Sequence, residues 1–198
     1  MFKNTFFILL LFVTVTSFAQ TKDSVLYNKL GDFDMARFYN ESQTAIRIGE
    51  SILADTAKLT PKALVSFYGR LAKLYEDNEQ GEKAMIYYAK VIAAVPDYYV
   101  AQRAYGYLAD SIAEEVHLKI HQLKSNDPSR NALFEQYKEE VLKALPHLEK
   151  AQACDPNDQD MDMIRTLYQN IHGEQQLATL NERLVTLSKN CVDILSDE

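Results

Sequence analysis

The sequence holds no tryptophan, and only 6 glycines and 5 prolines among 198 residues. Turn chemistry that sparse excludes a sandwich or barrel, in which each of many short connections consumes such residues. Two cysteines are too few for a disulfide-stapled scaffold, and the four histidines do not join them at zinc spacing. Lys and Arg number 21 against 28 Asp and Glu, and the net charge of −7 has no basic run to offset it. Nucleic acid and anionic membrane surfaces are therefore poor partners. The nucleotide and hydrolase fingerprints GxGxxG, GxxxxGK[ST] and GxSxG are all missing, so neither a cofactor nor an enzymatic activity is expected. What remains is a chain with 47% hydrophobic and 25% charged residues, enough for a core and arranged for long helices.

Residues 1–19, MFKNTFFILLLFVTVTSFA, have the three-part layout of a secretory signal: Lys3, an apolar run from Phe6 through Val15, then Ser17-Phe18-Ala19. The run is too short to span a bilayer, which takes about 20 residues. Cleavage near Ala19 is expected, followed by periplasmic or extracellular residence with no membrane span left. Five of the nine phenylalanines, at 2, 6, 7, 12 and 18, belong to this leader. Export would permit a bridge between Cys154 and Cys191. Both fall at the ends of expected helices, where a small buried hydrophobe is the commoner role, and they are expected to stay unpaired.

The apolar positions Val65, Tyr68, Leu71, Ala72, Leu74 and Tyr75 recur at helical spacing. A polar interval at 76–81 follows, and then Ala84, Met85, Tyr88, Val91, Ile92 and Val95 repeat the spacing. This predicts two antiparallel helices, with Thr60-Pro61 starting the first and Pro96-Asp97 ending the second and capping the next. Tyr68, Leu71, Ala72 and Tyr75, with Ala84, Tyr88, Val91 and Pro96, resemble the tetratricopeptide repeat, a 34-residue helix-turn-helix unit. Val91 departs from the small residue usual there. Ala144, Leu148, Ala151 and Pro156 repeat the closing pattern 60 positions later, which places an insertion at about 111–138. It is expected to form overlong helices protruding roughly 20 Å, broken at 125–128 with Asp127 as cap, and Pro146 is expected to bend the returning helix. Flanking hairpins are expected at 23–54, turning at Gly31-Asp32, and at 160–192, turning at Gly173. Such end units should present polar outer faces. The expectation is an all-α stack of antiparallel hairpins, a short right-handed solenoid with units at about 23–59, 60–96, 97–156 and 157–192.

The resemblance implies a concave groove lined by the first helix of each unit. Its candidate residues are Ser66, Gly69, Lys73, Glu76, Arg103, Tyr107 and Asp110, with the Tyr98-Tyr99 pair also free to meet a partner. Mixed charge beside tyrosine suits a peptide or extended segment of a protein partner. The functional expectation is a non-enzymatic scaffold in a bacterial cell envelope, binding through the groove or the protruding hairpin. The alternative is a small-ligand or metal module centred on Tyr105, Tyr107, His117 and His121. Glu114, His117 and His121 share one helix face, although two such histidines more often belong to a solvated surface.

Overall fold

The computed structural model describes residues 24–195, and the expected leader lies outside them. Among the described residues the fold is all-α: nine helices, and no strand beyond one isolated bridge. They are α1 (Ser24–Phe38), α2 (Ser42–Leu53), α3 (Pro61–Asp77), α4 (Gly81–Ala94), α5 (Tyr99–Gln122), α6 (Arg130–Cys154), α7 (Asp158–Asn170), α8 (Glu174–Ala178) and α9 (Leu180–Leu187). Chain neighbours pack as hairpins, α1 on α2, α3 on α4 and α5 on α6, while α4 also meets α5, and α6 meets α7 and α9. No helix in this span is long and apolar enough to cross a membrane.

The α3 start is as the sequence implies: Thr60 Oγ1 accepts from the Ala63 N–H at 3.3 Å, with Pro61 at the first helical position. The α3–α4 turn closes through Glu79 in the left-handed region (φ 58°), where the Gln80 N–H reaches back to the Tyr75 carbonyl at 2.9 Å. Asn40 and His172 close the first and last hairpins with the same reach, from Glu41 to Ala36 and from Gly173 to Tyr168. The hinge expected at Gly31-Asp32 is not one. Helix α1 runs straight through both, because Leu26, Leu30, Phe33 and Ala36 form a continuous buried stripe across them. A helical glycine costs only about 1 kcal/mol, less than that stripe returns. Nor is the outer face of this end hairpin polar, since Met35, Phe38 and Tyr39 are exposed on it.

Helices α5 and α6 have 24 and 25 residues against 17 and 14 in α3 and α4. The extension is thus about 10–16 Å, shorter than expected because 123–129 form the connection. Asp127 does not cap α6 directly: its Oδ1 accepts from the Ser129 N–H at 2.9 Å, and the helix starts at Arg130. Helix α6 continues through Pro146. The carbonyl that the ring deprives of a partner belongs to Leu142, which is exposed and open to water.

Two apolar clusters share this frame. One joins α1–α4 and the start of α5 around Phe33, Phe67, Leu71 and Tyr75, and the other joins α5, α6 and α7 around Val141, Leu145, Leu148 and Ile164. Tyr105 packs against both. In the first, the rings of Phe33 and Phe67 meet edge to face at 5.5 Å.

The chain after α9 overturns the expectation for the cysteines. Cys154, at the end of α6, is bonded to Cys191, with Cα atoms 5.5 Å apart. The sequence pattern treated both as helix-end hydrophobes. In fact α9 stops at Leu187, and a non-helical segment returns over the end of α6 and brings Cys191 to it.

Candidate functional site

That returning segment, residues 188–195, is a strap, and its anchors begin at Lys150. The Lys150 ammonium, nearly buried, donates to the carbonyls of Leu187 (3.0 Å) and Asn190 (2.5 Å) and to Asp97 Oδ1 (2.7 Å). Asp97 was expected to cap the next helix. Instead its carboxylate takes Lys150, and its carbonyl accepts from the Val192 N–H at 2.8 Å. The Val192 carbonyl accepts from the Tyr99 N–H at 3.1 Å, so the strap is held edge-on as one rung of a parallel bridge with Tyr98.

Beyond Val192 the strap lies against α3. A cavity of about 430 Å³ is lined by Arg37, Ser66, Gly69, Arg70, Lys73, Tyr88, Tyr98 and Val100 on one side and by Asp193, Ile194 and Leu195 of the strap on the other. Three of the expected groove residues, Ser66, Gly69 and Lys73, therefore meet here. Gly69 makes the seat, since a Cβ there would stand 3.3 Å from Leu195 Cδ1. A second, more apolar hollow of about 320 Å³ lies between Pro61, Lys62, Val65, Ala94 and Val95 and the strap's Val192, Ile194 and Leu195. The cations on the groove wall are each paired with an acidic side chain. Arg37 and Arg70 both reach Asp34 at 3.3 Å, and Lys73 donates to Asp77 at 2.6 Å, a bond that raises its pKa. Glu76 lies 3.5 Å from the Lys73 ammonium and accepts from the Tyr88 hydroxyl at 2.5 Å, and burial together with that bond raises the Tyr88 pKa.

The other expected groove residues face elsewhere. Arg103 and Tyr107, one turn apart on α5, both turn to the start of α7. Arg103 Nε donates to Asp160 Oδ2 at 2.9 Å, its other nitrogens hold the side chain and carbonyl of Asp155 at 2.6 Å each, and the Tyr107 hydroxyl donates to Asp160 Oδ1. Asp160 is fully buried, and its backbone N–H donates to Asn157 Oδ1, the α7 cap, at 2.8 Å. Burial and the Asp160 bond push the Tyr107 pKa up to about 12. These bonds tie α5 to the start of α7. Tyr98 and Tyr99 are likewise engaged, by the strap and by the Arg103 guanidinium, 5.6 Å from the Tyr99 ring. Asp110 is raised by burial and by Glu114, and with Tyr107, Ser111, Glu114, Glu115, Leu118, Gln159 and Met163 it lines an acidic hollow of about 420 Å³.

The residues of the alternative site do not assemble into one. Tyr105 lies against His147, with ring centres 4.4 Å apart, while His117 stacks on Tyr137 at 4.9 Å. His117 and His121 do approach, with their Nε2 atoms 3.0 Å apart. Glu114 meets His117 at the opposite nitrogen, Nδ1, at 3.4 Å, away from the nitrogen that faces His121. Among the described residues no group of three or more His, Cys, Asp or Glu is placed to hold a metal. A hollow of about 610 Å³ lies beside Pro146, Tyr168 and α9. On its wall Arg183 forks onto the buried Glu149 at 2.6 and 2.9 Å, and the Tyr168 hydroxyl donates to the same carboxylate at 2.5 Å. The sequence reading missed this triad and the strap alike.

No family model, curated protein or solved structure matches this chain.

Proposed function

We propose that this chain is a non-enzymatic interaction scaffold built on tetratricopeptide-like hairpins, exported to a bacterial cell envelope, and that it binds a protein or peptide through the concave groove beside α3. The observation that carries this reading is the groove itself: a cavity of about 430 Å³ with a glycine seat, lined by Arg37, Arg70 and Lys73, across which an extended segment already lies. Peptides bound in extended form are held by main-chain hydrogen bonds, with pockets for alternate side chains giving specificity. The leader-like residues 1–19 support export, and the spacing of Tyr68, Leu71, Ala72, Tyr75, Ala84 and Tyr88 supports the repeat.

The test is capture with the tagged full chain, cross-linked in its native envelope, beside Gly69→Leu and Leu118→Asp variants. A reproducible partner lost with Gly69→Leu and kept with Leu118→Asp is the expected result. Loss only with Leu118→Asp would move the surface to the long hairpin, where Leu118 is exposed. The absence of any reproducible partner would defeat the reading.

A further inference from the structure

The groove is not empty, and what fills it belongs to the chain. Val192 makes two main-chain hydrogen bonds to Asp97 and Tyr99, Leu195 fills the space above Gly69, and Val192, Ile194 and Leu195 cover the hollow bounded by Pro61, Val65 and Val95. Between these aliphatic side chains Asp193 lies on the cavity that Arg37, Arg70 and Lys73 line. Immediately before them stands the bridge from Cys191 to Cys154, which fixes the strap to the end of α6.

We propose that the groove binds, in trans, an extended peptide of the strap's own kind, aliphatic residues flanking a carboxylate, and that the strap holds this seat closed for as long as the Cys154–Cys191 bridge is intact. This rests on the reading of the groove as the partner surface, and it adds the chemistry of the ligand and the means of access. A segment tied beside its own seat competes at high effective concentration. A free peptide therefore binds only when the tie is cut. Cutting it takes a dithiol reductant. One of its thiolates attacks a bridge sulfur, its second thiol resolves the mixed disulfide, and two electrons and two protons finish on Cys154 and Cys191 as thiols while the reductant leaves as a disulfide. The Lys150 clamp stays on the carbonyls of Leu187 and Asn190, before the bridge, while the Val192 rung after it is free to part, so the strap from Cys191 onward becomes displaceable without unfolding the hairpins.

The experiment uses a fluorescein-labelled peptide of sequence Val192–Glu198, read by anisotropy against the full chain. The expected result is binding at least tenfold tighter to the dithiothreitol-reduced chain and to Cys191→Ser than to the oxidised chain, and loss of that binding when Gly69→Leu is added to Cys191→Ser. Equal binding by oxidised and reduced chains overturns the gate. Binding unaffected by Gly69→Leu overturns the seat, and no binding to any form overturns the ligand class. Should Cys191→Ser lose helical circular dichroism, Leu195→Asp with the bridge intact takes its place, because it evicts the strap by burying a charge; it is expected to bind the peptide, and failure to do so counts against the proposal. If the peptide never binds while envelope capture stays sensitive to Gly69→Leu, this inference falls and the scaffold reading stands. If both fail, both fall.

Discussion

Gly31 and Gly106 both sit inside helices, and replacing each with alanine should move stability in opposite directions. At Gly31 in α1 an added Cβ meets nothing within 4 Å. The substitution there gains only the helix propensity of alanine over glycine, about 1 kcal/mol. At Gly106 in α5 the same Cβ would stand 2.7 Å from Leu148 Cδ2, 2.8 Å from its Cγ and 3.2 Å from its backbone nitrogen. Carbon atoms in contact sit about 3.5–4.0 Å apart. Leu148 is fully buried, and turning its side chain does not move its own nitrogen, so α6 must retreat from α5. Overpacking of this kind costs about 1–3 kcal/mol, which cancels or exceeds the propensity gain. The two variants should therefore differ by about 1–3 kcal/mol, read as urea midpoints by far-ultraviolet circular dichroism with the bridge intact. A chain of this size shifts its Tm by roughly 2–4 °C per kcal/mol. In a Leu148→Ala background, itself costing about 2–5 kcal/mol, Gly106→Ala should be less destabilising than in the native chain, because the two closest atoms, Cδ2 and Cγ, are gone and only the backbone nitrogen at 3.2 Å remains. Equal, same-sign shifts from Gly31→Ala and Gly106→Ala in the native background would refute the close approach of α5 and α6.

Three further outcomes follow from the same geometry. Arg103→Ala and Asp160→Ala should each cost about 3 kcal/mol by leaving a hydrogen-bonded ion pair without one partner, and the double variant should cost less than their sum; full additivity in chemical denaturation would deny the junction. Opening the Cys154–Cys191 bridge, which spans a sequence separation of 37, should lower stability by about 4 kcal/mol through loop entropy, and an unchanged urea midpoint under dithiothreitol would contradict it. Burial lowers the pKa of His147 from its ordinary 6.5, so the unfolded state binds the extra proton there. Its contribution is complete above about pH 6.5 and is lost as the pH falls through the folded value. Stability measured from pH 7.5 to 5.5 should decline in the native chain and flatten in His147→Leu, and parallel curves would refute that assignment.

The helical class was legible because the apolar stripes of α3, α4, α5 and α6 keep the helical period over their full length. The hairpin at 60–96 was the clearest, and the first hairpin was not, for a reason visible in the packing. In α5–α6 a small residue on the first helix, Gly106, is matched with a large one on the second, Leu148. In α1–α2 the exchange is reversed. Phe33 is the large member and Gly49 the small one, with a Cβ at Gly49 only 3.0 Å from the Phe33 ring. The contact is conserved in volume while both letters change, so a pattern read one helix at a time loses it. The turns expected at 76–81 and at Gly173 fall between helices, whereas the one expected at Gly31-Asp32 does not; the left-handed positions are Asn40, Glu79 and His172, and no glycine takes them. Glycine therefore marked helix interiors at Gly31, Gly49 and Gly106, where it invited a false hinge at the first.

The candidate site was half legible. Ser66, Gly69 and Lys73 do line one cavity, because they lie on a single face of α3 at helical spacing. Arg103 and Tyr107 lie on the corresponding face of α5, but Asp160 comes from 57 and 53 residues away to take them, a partnership that no local pattern encodes. The strap is equally non-local, yet one signal for it stood in the sequence. Lys150 lies between Leu148 and Ala151 in the buried stripe of α6, and Cys154 is one turn further on the same face. A lysine in a buried stripe needs oxygen atoms brought to it, and a cysteine beside it can accept a covalent tie. Read together, the two residues require that some later segment cross the end of α6. Only Cys191 can make the tie, which carries the residues after it onto α3 and into the groove that Ser66, Gly69 and Lys73 had marked.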